Sequence, residues 1–345
     1  MNNALPDGKP LRIFPGSASA AAREIMAEIT GLVLPFFGLI FLGYLTARLV
    51  DHPGEAMGWL NTFIVYLALP ALFFKLVSRT PVEELTRADF ILTSVGTTYV
   101  VFALIFAIGL FLRRNTVAEA TMQGFAGAYG NIGYMGPGLA LLALGETAAV
   151  PVALIFCFEN AAHFTVAPAM MAAAGGSKQK PAVVALGIAR RIAFHPFILS
   201  TFAGVAAAFL SFEPPLPLQR LIDYLAQAAA PCALFAMGVT LALRPLKRIP
   251  AEIGYIVPAK LVLHPVLMYL ALSLGGAYDP IWVQTAVLLA SLPTATNVFV
   301  IGQQYGVWQE RASATILITT LLSVATVTGL LYLIRSGALP ADLFP

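Results

Sequence analysis

The stretch GNIGYMGPG, residues 130–138, interrupts an otherwise apolar segment with four glycines, one proline and one asparagine. Glycine and proline are poor residues for a helix interior, whereas the flanking residues 118–128 and 139–144 are typical of a helix at membrane depth. A helix that breaks within hydrocarbon exposes N–H and C=O groups that lipid cannot satisfy. Such breaks persist only where protein or a water-filled cavity surrounds them. The stretch therefore predicts an interior site that binds something.

The composition of the 345-residue chain is that of a membrane protein. Hydrophobic residues make up 59% and charged residues only 11% of it, whereas an average soluble domain has about 25% charged residues. The net charge of +3 is too small to indicate nucleic acid as a partner. Cys157 and Cys232 lie in apolar segments without metal-ligand spacing and are interpreted as small buried hydrophobic residues. No metal or cofactor is predicted.

Ten segments are long and apolar enough to cross a bilayer, which takes about 20 residues each. They are 29–50, 56–78, 89–112, 118–144, 147–173, 190–211, 218–243, 252–274, 280–305 and 308–334. The fourth contains the opening stretch and the ninth contains a second interruption. We therefore predict an all-α integral membrane protein. Its divisions are a poorly ordered tail (1–28), two five-helix halves (29–173 and 190–334), a linker (174–189) and a C-terminal tail (335–345).

The distribution of positive charge predicts the orientation of these spans. Without the N-terminal tail and Lys260, one set of alternate loops contains eleven Lys or Arg residues and the opposite set contains five. Loops rich in Lys and Arg stay on the cytoplasmic side. The protein is therefore predicted to lie in the bacterial inner membrane, with the linker on the cytoplasmic side and both termini on the opposite, outer side.

The first two spans of each half resemble each other in sequence. Residues 34–43 (LPFFGLIFLG) align with 195–204 (HPFILSTFAG), and 69–78 (LPALFFKLVS) align with 230–239 (APCALFAMGV). Both alignments have the same offset of 161 residues. Because five spans is an odd number, two such halves enter the membrane in opposite directions, which predicts an inverted repeat.

The interrupted segments also correspond. Asn131 aligns with Asn297 and Gly136 with Gly302 at an offset of 166 residues, which five inserted residues would reconcile with the other alignments. A discontinuous helix at the same place in each half points to the binding site of a secondary transporter.

Two motifs resemble a known family. GNIGYMGPGLALLALGE (130–146) and PTATNVFVIGQQYG (293–306) are similar to the fourth-span and ninth-span signatures of bacterial auxin efflux carriers. The resemblance extends over residues 29–334. It implies fourth and ninth helices that unwind and cross at mid-membrane, as in bile acid:sodium symporters, and a malonate-, malate- or auxin-type substrate. The linker is much shorter than the long loop of plant auxin carriers, so regulation through that loop is not implied.

The candidate substrate ligands gather at the two interruptions. A half-helix that restarts presents free N–H groups and the positive end of its dipole, which favours an anion. Asparagine amides can donate and accept hydrogen bonds. The alternative is that the asparagines only cap the broken helix ends. The predicted substrate-binding residues are Asn131, Gly133, Tyr134, Gly136, Pro137, Pro293, Thr294, Thr296, Asn297 and Lys260.

Two spans place ionisable residues near the bilayer centre, where each costs about 2.5–3.5 kcal/mol and is a functional candidate. Glu159 and His163 are four residues apart, and so are Lys260 and His264, so each pair shares a helix face. A carboxylate out of water tends to keep its proton, and histidine titrates near neutral pH. Glu159, His163, Asn160 and His264 are therefore predicted to serve proton coupling. Lys260 would neutralise a substrate carboxylate or pair with Glu159. The alternative for each pair is a structural bond between helices.

These features favour a proton-coupled secondary transporter of a small organic anion, a mono- or dicarboxylate, that works by alternating access in the lipid bilayer. The chain lacks a GxxxxGK[ST] phosphate-binding loop, so ATP-driven transport is not expected. It also lacks an evident nucleophile–base pair, and no enzyme activity is predicted. A sodium-coupled symporter of the bile-acid type is the first alternative, and a membrane sensor or channel is the second. Assembly as a homodimer is left open.

Overall fold

Helices make up most of this computed structural model, which describes residues 15–343 apart from 51–56, 177–182, 184–185, 188, 191–192, 244–248, 277 and 341–342. We number twelve helices in this part of the chain. They are α1 (Pro15–Leu49), α2 (Met57–Ser78), α3 (Ala88–Leu112), α4 (Val117–Ala128), α5 (Gly136–Leu144), α6 (Ala149–Met171), α7 (Pro196–Phe209), α8 (Leu216–Leu243), α9 (Ile253–Gly275), α10 (Pro280–Ser291), α11 (Thr296–Tyr305) and α12 (Gln309–Arg335).

Seven helical segments of the described residues are long and apolar enough to cross a bilayer. They contain α1, α2, α3, α6, α8, α9 and α12. Helices α7 and α10 are also apolar but shorter, and α4, α5 and α11 have 9 to 12 residues. The prediction of an all-helical membrane protein is confirmed. The count of ten spans and the inverted repeat stay predictions.

The first helix starts inside the predicted N-terminal tail. Helix α1 begins at Pro15, whereas the predicted tail is 1–28, and the division of the chain into tail, halves and linker stays a prediction. Residues 17–30 contain no proline or glycine and are rich in alanine, and alanine has the highest helix propensity. Residues 1–14 and most of the predicted linker 174–189 lie outside the described residues.

The predicted interruptions are present, and they lie against each other. The chain leaves helical geometry between α4 and α5 and again between α10 and α11, and Gly130 and Thr294 form an isolated antiparallel bridge. The Asn131 N–H donates to the Pro293 carbonyl at 2.8 Å, and the Ala295 N–H donates to the Tyr129 carbonyl at 2.9 Å. Each break thus satisfies backbone groups of the other, as a break within hydrocarbon requires.

Close glycine contacts join α1 to α8 and α2 to α7. A Cβ added to Gly43 would overlap the carbonyl oxygen of Phe235, and one added to Gly204 would lie 3.2 Å from the carbonyl oxygen of Phe74. Residues 43 and 74 precede residues 204 and 235 by the same 161 positions that align the two halves. The two contacts are therefore equivalent when the halves are exchanged.

Candidate functional site

A cavity of about 100 Å³ lies against the crossing of the two breaks. It is much smaller than the 300–1,000 Å³ typical of pockets for drug-sized ligands. Residues from both breaks line it, together with residues of α2, α6 and the start of α7. They are Val65, Leu69, Tyr129, Gly130, Asn131, Gly133, Tyr134, Phe156, Asn160, Phe164, His195, Phe197, Ala295, Thr296 and Asn297. The cavity can hold a small molecule with both polar and aromatic contacts.

A tyrosine hydroxyl connects two amides of the cavity wall. The Asn297 side-chain N–H donates to the Tyr129 hydroxyl at 2.8 Å, and that hydroxyl donates to Asn160 Oδ1 at 2.5 Å. The Asn160 side-chain N–H in turn donates to the Phe156 carbonyl at 2.7 Å. Tyr129 therefore holds the second break against α6 in a fixed arrangement of polar groups.

Asn131 makes a weaker side-chain hydrogen bond than Asn297 does. Its side chain is 3% exposed, and its Nδ2 donates to Met237 Sδ at 3.0 Å. Because a thioether is a weak acceptor, a polar group of a ligand could replace it. On the other break, Thr296 and Asn297 are the first two residues of α11, so the positive end of that helix dipole lies at the cavity.

The structure brings half of the predicted substrate-binding residues to the cavity. Those that line it are Asn131, Gly133, Tyr134, Thr296 and Asn297. The others lie close by without lining it. Gly136 and Pro137 form the first turn of α5, Pro293 and Thr294 form the crossing itself, and Lys260 contacts the end of α10.

The ionisable residues form a single buried network. The Thr98 hydroxyl donates to Glu159 Oε1 at 2.7 Å and lies 3.1 Å from His264 Nε2. His264 Nδ1 lies 3.1 Å from Lys260 Nζ. With the proton of His264 on Nε2, the hydrogen bonds form a chain. Lys260 Nζ donates to His264 Nδ1, His264 Nε2 donates to the Thr98 hydroxyl oxygen, and the Thr98 hydroxyl donates to Glu159. The expected pairing of Lys260 with Glu159 is thus mediated by Thr98 and His264 instead of being direct.

His163 lies between this network and the cavity. Its Nε2 is 4.0 Å from Glu159 Oε2, too far for a hydrogen bond, and its Nδ1 is 3.0 Å from the Tyr99 hydroxyl. The centroids of the His163 and Tyr129 rings are 3.9 Å apart. Because the Tyr129 hydroxyl lines the cavity wall, this ring contact links the cavity to the carboxylate network.

Three residues of this region were missed or undervalued in the sequence. Tyr129 directly precedes the quoted stretch, so its polar tip could have been found from its position. Thr98 precedes His264 by 166 residues, the offset that aligns the two interruptions, and that offset could have revealed it. His195 is not among the predicted site residues, but it lines the cavity between the rings of Phe164 and Phe197, with a buried Nδ1 that has no hydrogen-bond partner.

A larger cavity of about 610 Å³ adjoins the small one on the side of the linker. The two cavities share Phe164, His195 and Asn297. Its wall includes Arg190 and Gln304. A cavity of about 440 Å³ near the opposite ends of the helices is lined by other residues and shares none with the small cavity. Of these two larger cavities, the one on the linker side is therefore the one that shares wall residues with the crossing cavity.

A protein family and several known proteins are similar to this chain over nearly its whole length. The profile of a family described as "Membrane transport protein" matches residues 28–331. "Uncharacterized transporter YfdV" of Escherichia coli K12 is 24% identical over 311 residues, which are 88% of this chain and 97% of that protein. An "Uncharacterized transporter" of Methanothermobacter thermautotrophicus is 24% identical over 303 residues, 86% of this chain and 95% of the relative. The mouse "Lysosomal cholesterol signaling protein" is 24% identical over 323 residues, 84% of this chain but 36% of its own length.

Proposed function

Because this chain belongs to the membrane transport protein family, which it matches over residues 28–331, we propose that it is a secondary active transporter that moves a small organic anion by alternating access. Family membership confirms the resemblance to the auxin efflux carriers and makes the chain a multi-pass membrane protein with a small-molecule substrate. The substrate class, the coupling ion and the access mechanism belong to the proposal.

The observation that supports the proposal most directly is the cavity at the crossing, to which Asn131 and Asn297 each contribute from one break. Among the described residues, those that line it include no carboxylate and no Lys or Arg. A bound anion would be held by amide N–H groups, the Tyr134 hydroxyl and the start of α11, and helix N-termini favour anions without a formal positive charge. A volume of about 100 Å³ favours a short mono- or dicarboxylate over a bicyclic auxin-type acid in this conformation.

Two features of the molecule support alternating access, namely the position of the large linker-side cavity and the equivalent glycine contacts of the two halves. The crossing cavity shares the wall residues Phe164, His195 and Asn297 with the large linker-side cavity, so in this proposal the conformation is one that opens towards the linker. With the linker in the cytoplasm of a bacterial cell, it is inward-facing. The equivalent contacts at Gly43 and Gly204 support an inverted repeat, whose halves can exchange conformations to open the opposite side.

Proton coupling through Glu159 is the second part of the proposal. Glu159 and His163 are 3% and 1% exposed, and hydrogen bonds connect Glu159 through Thr98 to His264. Tyr129 contacts both the cavity and His163, so a substrate that rearranges the cavity amides would also alter the surroundings of the proton site.

The test is uptake by the purified protein in proteoliposomes. A panel of labelled mono- and dicarboxylates is offered under an imposed pH gradient, with sodium present or absent. We expect at least one short carboxylate to accumulate with the pH gradient and independently of sodium. Accumulation driven by a sodium gradient at fixed pH would favour the sodium-coupled alternative. Equal uptake of a neutral amide analogue would contradict an anionic substrate.

A further inference from the structure

Lys260 is a fully buried lysine, 0% exposed, at a widened turn of α9. Residues Ala259–Leu263 form a π-helical turn between two α-helical parts. Such turns inside α-helices are frequently found at functional sites. The residue 166 positions earlier, Ser94, is also buried, but it lies in an α-helical part of α3 and its hydroxyl bonds to the Ile91 carbonyl of its own helix. At this pair of aligned positions, the buried cation is therefore found in the second half and not in the first.

The ammonium group of Lys260 lies where α10 stops. Its Nζ donates to the Ala290 carbonyl at 2.5 Å, one residue before the end of α10 at Ser291. A Cβ added to Gly130 of the first break would lie 3.3 Å from the same Nζ. Lys260 thus occupies the point where the end of one broken helix meets the backbone of the other break.

Helix ends of this kind are sites for cations. The last carbonyls of a helix have no intrahelical N–H partner and form the negative end of its dipole. The Leu288 carbonyl accepts from the Ser291 hydroxyl, the Leu289 carbonyl accepts from the Leu292 N–H, and the Ala290 carbonyl accepts from Lys260. In transporters with broken helices, carbonyls at half-helix C-termini coordinate the coupling sodium or proton.

We propose that Lys260 is a resident cation, whose ammonium group occupies an alkali-cation site at the end of α10. The crossing therefore needs no dissolved cation to neutralise this helix end. The surrounding charged and titratable groups fit a cation. His264 lies on the same helix, Glu159 and His163 face it from α6, and Thr98 of α3 completes the hydrogen-bond chain to the carboxylate.

The opposite break has a different arrangement. Near the end of α4, the Ala126 carbonyl accepts from the neutral Thr294 hydroxyl at 2.7 Å, and the Tyr129 carbonyl accepts from the Ala295 N–H. Lys260 acts on the crossing by holding the end of α10, so it is a positioning residue and not a substrate ligand. This role is independent of which substrate the cavity binds.

The test is thermal unfolding of detergent-purified protein at constant ionic strength in choline, sodium, lithium or methylammonium chloride. Lys260→Ala removes the ammonium and leaves room for a small cation. We expect it to melt lower than wild type in choline and to regain on the order of 3 °C in methylammonium or an alkali cation. Lys260→Met fills the space with an apolar chain, so it should be destabilised in all four salts. Wild type should melt alike in all of them.

Lys75→Ala is the matched control, because Lys75 forms a partly exposed ion pair with Asp223 at 2.8 Å. Its melting temperature should not depend on which cation is present. A folded Lys260→Ala protein that melts alike in all four salts would overturn the proposal, as would wild-type protein stabilised specifically by sodium. If Lys260→Ala unfolds on extraction in choline, extraction in methylammonium should recover it, and failure there also overturns the proposal. No substrate is used, so the result is separate from that of the transport assay.

Discussion

The ring of Tyr129 lies 3.9 Å from the ring of His163, measured between centroids, while its hydroxyl bonds to two amides in the cavity wall. One side chain therefore contacts both the proposed substrate site and His163, which lies beside the buried network that contains Glu159. Substrate and proton need not touch for one to affect the other, since a shift of this ring would change the surroundings of both.

Tyr129→Phe tests the hydroxyl alone, because the ring and its contact with His163 remain. The variant leaves the side-chain oxygen of Asn160 and the side-chain N–H of Asn297 without this partner. A hydrogen bond contributes about 0.5–1.5 kcal/mol of net stabilising free energy. We expect carboxylate affinity to fall about tenfold, measured by ligand-induced thermal shift. Tyr99→Phe is the control, since Tyr99 bonds His163 from outside the cavity. Unchanged affinity in Tyr129→Phe would contradict a role in the cavity.

The two asparagines of the breaks should each be required for substrate binding. Asn131→Leu and Asn297→Leu keep a similar side-chain volume but remove donor and acceptor, so binding should be lost while the protein still folds. Asn61→Leu introduces the same change on α2 at a position that is not among the lining residues, and should bind as wild type does. Wild-type affinity in either cavity variant would contradict a role of that asparagine in substrate binding.

The breaks could be predicted from the sequence, but the contacts between them could not. Gly130, Gly133 and Pro137 mark an interruption because their backbone preferences are local. The bond from the Asn131 N–H to the Pro293 carbonyl depends on a tertiary register that no local pattern encodes. The partner of Lys260 was hidden for a similar reason, because it is a backbone carbonyl and every residue has one.

The tail boundary shows a different limit. The overall content of Pro, Gly and Ser in residues 1–28 predicts a poorly ordered tail, but the prolines and glycines all precede residue 17. The remainder has strong helix propensity and forms the start of α1. A composition averaged over the whole tail concealed this change within it.

The close approach of α1 to α8 can be tested by stability. Gly43→Ala places a Cβ against the Phe235 carbonyl, so the helices must separate, and overpacking of this kind costs about 1–3 kcal/mol. Gly31→Ala on the same helix meets no atom within 4 Å and should be neutral or stabilising, since alanine is favoured over glycine by about 1 kcal/mol in helices. Gly43→Ala should therefore melt below wild type, and Gly31→Ala should melt at the wild-type temperature or above it. Equal shifts would show that the close contact at Gly43 has no effect on stability.

The proposed coupling pathway depends on the Thr98 hydroxyl, which is the link between Glu159 and His264. Thr98→Val keeps the shape of the side chain and removes both hydrogen bonds, leaving Glu159 without its close donor. The adjacent Thr97 offers a matched control, because it is also buried but bonds to the Thr93 carbonyl of its own helix. Both variants replace a buried threonine by valine, but only Thr98→Val removes hydrogen bonds of the network that contains Glu159.

Uptake in proteoliposomes separates these variants from one another. Glu159→Gln cannot exchange a proton, so substrate should equilibrate without accumulating when a pH gradient is imposed. Thr98→Val should shift the pH at which uptake is half-maximal, because the carboxyl group loses a donor that stabilises its ionised form. Thr97→Val should retain the wild-type profile. A Glu159→Gln protein that still accumulates substrate against its gradient would exclude Glu159 as the proton carrier, since a side-chain amide has no proton to release at physiological pH.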